Sequence, residues 1–234
     1  MKKIIALTLI VMLTIMGASV SAESNSTADI VSQYENEILE SFNELGIDFK
    51  TQQKLLDKIK NGETIDSMKP ENIEKALEIS QSTPMNESTT LVFSDGSRII
   101  FGSEIVSYEG DSVGDVGLNK FKERSPGTYE IKTYWYAGII NSSYYTDATI
   151  KKGKNNDVIT RAYSGSASII GGRLESEKVS ISARYETSTH YAHSQYKVVY
   201  SLVGGIAGGG TLTLNTLVGN NGYETSTGGI SSRK

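Results

Sequence analysis

The spacing of apolar residues changes once along the chain, and the expected architecture changes with it. Between about residues 28 and 80 the period is helical. Val31, Tyr34, Ile38, Phe42 and Leu45 recur at three- and four-residue steps and share one face, with Asn36, Glu37, Glu40 and Asn43 on the other. Gly46 stands where a left-handed C-cap is expected. A second helix is expected after Asp48, carrying Phe49, Leu55, Leu56 and Ile59 and stopping at Asn61-Gly62. Pro70 suits the first turn of a third helix running to Glu78, because proline's missing N–H is not needed there. A helical pack of about fifty residues has little core of its own and gains from a neighbour.

Residues 81–90 are polar and aperiodic and read as a linker. From Thr90 onward the period is two. Residues 91–93 and 98–101 flank Ser94-Asp95-Gly96-Ser97, a hairpin signal in which Asp-Gly suits the positive φ of a type I′ turn. Further strands are expected within 129–140, 148–151, 158–164, 179–185 and 196–202, and around Leu212 and Leu214. Gly153-Lys154-Asn155-Asn156 and Gly219-Asn220-Asn221-Gly222 supply turns between them. The pattern predicts an α+β chain: a short helical N-terminal segment and an antiparallel β-sandwich or barrel-like C-terminal domain. Its expected divisions are a helical segment over 23–80, a linker over 81–90, a β-hairpin with an acidic loop over 91–126, and a β domain over 127–234.

The first twenty-two residues read differently again. Lys2 and Lys3 precede an uncharged apolar stretch over 4–16, and Val20-Ser21-Ala22 supplies small residues for cleavage. This is the form of a secretory signal peptide. As a helix the apolar stretch would span only about 20 Å, short of a hydrocarbon core of about 30 Å. Cleavage after Ala22 removes two lysines and takes the formal charge from −4 to −6. No cysteine follows that could carry a lipid, and the C-terminus shows no sorting motif. The expected location is therefore extracellular.

Gly46-Ile47-Asp48-Phe49, the run from Gln52 to Glu63, Asp66-Ser67-Met68 and the Asp-Gly-Ser hairpin at 91–101 together resemble uncharacterised exported proteins of Bacillus-like Firmicutes. Those proteins share a helical N-terminal segment and a β-rich C-terminal domain. The resemblance covers about residues 40–105. It implies export and a Gram-positive source, and it carries no catalytic residue across.

Composition then removes whole classes of chemistry. With no cysteine, the chain has no disulfide, thiolate metal site or cysteine nucleophile. A cysteine-free exported chain also fits a Gram-positive bacterium, which lacks a dedicated oxidising compartment. The acidic balance argues against a nucleic-acid partner. No cofactor or metal is expected. Gly110-Asp111-Ser112-Val113-Gly114 matches the nucleophile-elbow pattern, with Asp147 or Asp157 and His190 or His193 following in order. The strand–turn–helix context that this motif needs is missing, so a hydrolase on Ser112 is the weakest alternative. Glu109, Asp111 and Asp115 could face a calcium ion, but they lack the spacing of a known loop and read as a solvated acidic segment. His190 and His193 stand three apart in a strand-like stretch, so they face opposite sides and do not share a metal. They read as a surface pair.

The excess that remains is tyrosine. Eleven of thirteen tyrosines lie from Tyr129 onward, together with the single tryptophan. Tyr134, Trp135 and Tyr136 are consecutive, as are Tyr144 and Tyr145, so each group should place at least one ring outside the core. These five are the candidate binding residues. The function expected is non-enzymatic: binding of cell-wall glycan or of another extracellular protein. The alternative is a secreted membrane-active toxin acting through the charge-free stretch at 198–218, whose centre is glycine-rich.

Overall fold

The computed structural model describes residues 27–81, 88–110, 124–202 and 209–228. The expected signal peptide, Asp111, Ser112, Asp115 and the centre of the glycine-rich stretch lie outside them. Among the described residues the chain is mostly antiparallel β-structure with a few helices, broadly α+β.

The helices follow the apolar spacing. They are α1 (Thr27–Gln33), α2 (Glu35–Glu44), α3 (Phe49–Lys60) and α4 (Pro70–Ser80), with a 3-10 turn at Asp66–Met68 before α4. Asp48 caps α3 by accepting the Thr51 N–H at 3.1 Å. Gly46 and Gly62 take positive φ just past α2 and α3, as the C-cap reading requires. Within this segment Val31, Ile38, Phe42, Leu55, Leu56, Ile59 and Ile65 are buried. No described helix is long and apolar enough to cross a membrane.

Among the described residues nine strands form two sheets. The first has five strands in sequence order: β1 (Ser88–Val92), β2 (Arg98–Gly110), β3 (Gly127–Tyr136), β4 (Ile140–Ile150) and β5 (Val158–Ile169). The second has four: β6 (Gly172–Ala183), β7 (Ala192–Leu202), β8 (Gly209–Gly219) and β9 (Gly222–Thr227). Neighbours pair antiparallel, and neither sheet closes on itself. Asn220 and Asn221 both take positive φ between the paired Gly219 and Gly222, a two-residue hairpin loop that asparagine tolerates. The β1–β2 loop departs from expectation. Only Gly96 has positive φ, and Gly96 N–H donates to Phe93 O while Phe93 N–H donates to Ser97 O. That is a three-residue loop with glycine in the left-handed position, not a type I′ turn. Its conformation suits the Asp95 carboxylate, which accepts from the Ser97 N–H and hydroxyl at 3.0 and 2.6 Å.

The helical segment is not set apart from the sheets. Its buried residues form one apolar cluster with Phe101, Trp135 and Ile140 of the first sheet, with Ala137 and Ile139 of the β3–β4 turn, and with Tyr196, Val198, Leu212 and Leu214 of the second sheet. Polar contacts fix its position. Ser41 donates to Gly138 O at 2.5 Å, and Asn141 Nδ2 donates to Ser41 Oγ at 2.9 Å. Asp66 accepts from Ser94 at 2.6 Å and pairs with Lys69 at 2.7 Å, while Asp95 pairs with Lys58 at 2.8 Å. Hydrogen bonds from Lys69 and Ser94 hold the Asp66 carboxyl at about 2, well below its ordinary value.

A second, smaller apolar cluster lies between the sheets, built on Ile131, Ala148, Ile150, Ile159, Val218 and Tyr223. Hydroxyl groups run between the two clusters. Tyr144 donates to Thr216 Oγ1 at 2.8 Å, Thr133 and Thr216 hydroxyls lie 2.9 Å apart, and those of Thr146 and Ser194 lie 2.8 Å apart. All five residues are buried, so these bonds avert the cost of hydroxyls stranded away from water. Burial also pushes the Tyr144 phenol up to about 12. At one end of the sheets, Asp157 and Glu186 tie three loops together. Asp157 accepts the Lys151 and Asn221 N–H groups at 2.8 and 2.9 Å, and Glu186 accepts that of Asn220 at 2.9 Å.

Candidate functional site

Strand alternation in β3 and β4 sorts the five candidate residues into two sets. One face of the pair carries Tyr129, Ile131, Thr133 and Trp135, with Ile140, Ser142, Tyr144, Thr146 and Ala148 opposite, and all of these are buried. The other carries Glu130, Lys132, Tyr134 and Tyr136, with Asn141, Ser143, Tyr145 and Asp147 opposite, and all of these are half-buried. Tyr134, Tyr136 and Tyr145 therefore share the outer face. Trp135 and Tyr144 do not. At 2% and 0% exposure they are core residues, because the second sheet and the helices cover their side. Neither can touch a partner.

The outer face gains residues that the sequence pattern did not single out. β5 pairs with β4 through two register shifts, one between Ser143 and Tyr145 and one between Asp147 and Ala148. The stretch between them places Tyr163 opposite Tyr145 and Arg161 opposite Asp147. At the first shift Ser164 takes positive φ, and Gly165 follows it. A Cβ on Gly165 would lie 2.5 Å from the Tyr196 ring, so a side chain there would collide with the core. A glycine inside a strand pattern is the available signal for such a bulge.

These side chains interlock. The rings of Tyr134 and Tyr136 stack at 5.1 Å and those of Tyr145 and Tyr163 at 5.8 Å. The Arg161 guanidinium lies 3.8 Å from the Tyr163 ring centre, with its Nε 2.9 Å from Asp147 Oδ2. The Tyr163 hydroxyl lies 2.5 Å from Glu130 Oε1 and 3.1 Å from Asp147 Oδ1. Burial, and then donation to these two carboxylates, raises the Tyr163 phenol well above its ordinary value. Lys132 pairs with Glu104 at 3.1 Å, and Ser107 donates to Glu130 Oε2 at 3.1 Å. Tyr134 lies between Gly102 on β2 and Ser143 on β4, neighbours too small to cover its ring. The face thus offers phenol edges, while each ring gives one face to a stacked neighbour and the charges are engaged with one another.

The remaining candidates fall elsewhere. Glu109 is in strand β2, paired with Thr128, rather than in a loop. No group of three or more His, Asp or Glu among the described residues is placed to hold a metal ion. Asp147 belongs to the outer face, and Asp157 to the buried loop ties. The histidines are not a surface pair. His190 lies in the connection before β7, its Nδ1 2.8 Å from Thr187 Oγ1. His193 is a buried β7 residue between Ser182 of β6 and Asn215 of β8. In the charge-free stretch, Val198, Leu212, Leu214, Leu217 and Val218 are buried.

No family profile and no curated protein sequence matches the chain. Among solved structures, the chain is similar to a hypothetical protein from Listeria monocytogenes, a Firmicute. The two are 20% identical with a TM-score of 0.37, over 62% of this chain and 94% of that one.

Proposed function

We propose that this is an exported binding protein without enzymatic turnover. It engages another extracellular protein through the outer face of the five-stranded sheet. The export reading rests on the first twenty-two residues, with their charged start, apolar middle and small-residue end. The fold reading is an open sandwich, supported by two unclosed sheets whose facing residues bond across the gap.

One observation carries the binding reading: Tyr134, Tyr136, Tyr145 and Tyr163 stand on one half-buried face, held by stacking and by Arg161, Glu130 and Asp147. Tyrosine gives a large contact area for little loss of conformational freedom, and these rings are already ordered. The partner class follows from their packing. A sugar stacks on an open ring face, whereas each ring here already gives one face to a stacked neighbour and Arg161 lies over Tyr163, which favours a protein surface. The mature charge of −6 also leaves no general attraction to an anionic wall polymer.

Retention on purified cell walls, before and after protease stripping of wall proteins, tests this reading. Retention is expected to disappear on stripped walls. On intact walls it should fall about tenfold or more in the Tyr134→Ala, Tyr163→Ala double variant. Retention that survives stripping would assign the face to glycan. Equal retention of the double variant would remove the face altogether.

A further inference from the structure

Ser182 lies on β6 at a register shift, between the pairs Ile181↔Ser194 and Ala183↔His193. The pairs from Lys178↔Lys197 to Ile181↔Ser194 already carry residue 182 to a place opposite His193, and the shift sets Ala183 beside it, so that two β6 residues oppose one on β7. Ser182 Oγ comes to 2.5 Å from His193 Nδ1. The other ring nitrogen, Nε2, lies 3.2 Å from Asn215 Oδ1. Asn215 is locked in turn, since its Nδ2 donates to Gly228 O at 2.7 Å. An amide nitrogen committed to a carbonyl leaves only the amide oxygen toward the ring. The proton of a neutral imidazole must then sit on Nε2, with the Nδ1 lone pair directed at the serine hydroxyl. The hydroxyl's other acceptor, His193 O, is distant at 3.4 Å.

We propose that Ser182 is a base-assisted nucleophile that accepts an acyl group from an activated carboxylic ester. Its Oγ attacks the ester carbonyl carbon while the hydroxyl proton passes to His193 Nδ1. The tetrahedral adduct then collapses, the carbon–oxygen bond to the leaving group breaks, and the imidazolium returns the proton to the departing alkoxide. The products are an alcohol and an ester on Ser182. Asn215 is a positioning residue that keeps the Nε2–H tautomer.

Burial lowers the His193 pKa, so the ring is an uncharged base near neutral pH. Ser182 is exposed on an edge strand, so an acyl donor reaches it without entering a cavity. This site lies on the four-stranded sheet and shares no residue with the tyrosine face.

The test treats the full secreted chain with p-nitrophenyl acetate and, separately, with a fluorophosphonate, and maps modified serines by mass spectrometry. Ser166 and Ser168, exposed on β5, serve as internal references. Ser182 should react about a hundredfold faster than either, the usual gain from a positioned base. The advantage should vanish in His193→Gln. For Asn215→Leu, nitrogen-15 shifts of His193 should show the Nδ1–H tautomer appearing, a signature that loss of packing alone would not produce. Equal rates at Ser182, Ser166 and Ser168 in the unaltered chain would overturn the proposal, whatever the variants do. So would a preference at Ser182 that survives His193→Gln.

Discussion

Trp135 and Tyr144 sit beside Tyr134 and Tyr145 in the chain and on the opposite side of the sheet. Inside, Trp135 stacks on Phe101 at 5.6 Å within the helix-covered cluster, and the Tyr144 hydroxyl finds Thr216 across the gap. Outside, tyrosines stack in pairs, and Tyr163 ties its hydroxyl to the Glu130 and Asp147 carboxylates. The same residue type serves stability on one face and presentation on the other. What differs is the partner supplied from elsewhere in the chain. The second sheet and the helices cover the inner face, whereas among the described residues the outer one meets neighbouring strands of its own sheet.

The sharpest way to break this contrast is Trp135→Ala. Removing a ring from a closed core should cost about 3–5 kcal/mol, read as a fall in the urea midpoint at unchanged m-value. Tyr144→Phe keeps the volume and removes one hydroxyl from the line between the sheets. A loss of about 1–3 kcal/mol is expected, and no change would mean that Thr133 and Thr146 satisfy Thr216 and Ser194 without it.

Acid should loosen the helical cover. The folded Asp66 carboxyl lies at about 2, below its ordinary value. Its stabilisation is therefore complete above the ordinary carboxylate range and is lost as pH falls toward the folded value. Denaturant melts between pH 2 and 6 should show this slope, and Asp66→Asn should flatten it. The smallest stability effect belongs to the outer face: Tyr134→Ala should cost under about 1 kcal/mol while still weakening partner binding. A loss as large as that of Trp135→Ala would make the outer tyrosines structural and dissolve the contrast.

Much of this was legible in local pattern. The helical spacing of Val31, Ile38 and Phe42, the cap at Asp48, and the Asn220-Asn221 turn each depend on residues within a few positions. The β1–β2 loop was half legible. Asp-Gly marked the turn, but its type depended on what Asp95 bonds, including the Asp66 N–H at 2.8 Å. Alternation said that Trp135 and its neighbours must face opposite sides, and could not say which side would be covered. Tyr163 was missed because two register shifts in β5 break the period on which such a reading relies. The meeting of Ser182, His193 and Asn215 was out of reach because it depends on the mutual register of three strands, which no local pattern sets.

Taken alone, the sequence determined the helical segment and the change to strands after it, several of the turns though not the one at 137–139 that splits the expected 129–140 strand, and that no thiol chemistry is available. These follow from backbone periodicity, from the conformational range of Gly, Asn and Pro, and from composition. Only the tertiary structure decided which aromatic rings are core and which are surface, and which hydroxyl meets an imidazole. Those outcomes depend on strand pairing between distant segments, where a shift of one residue turns a side chain to the other face.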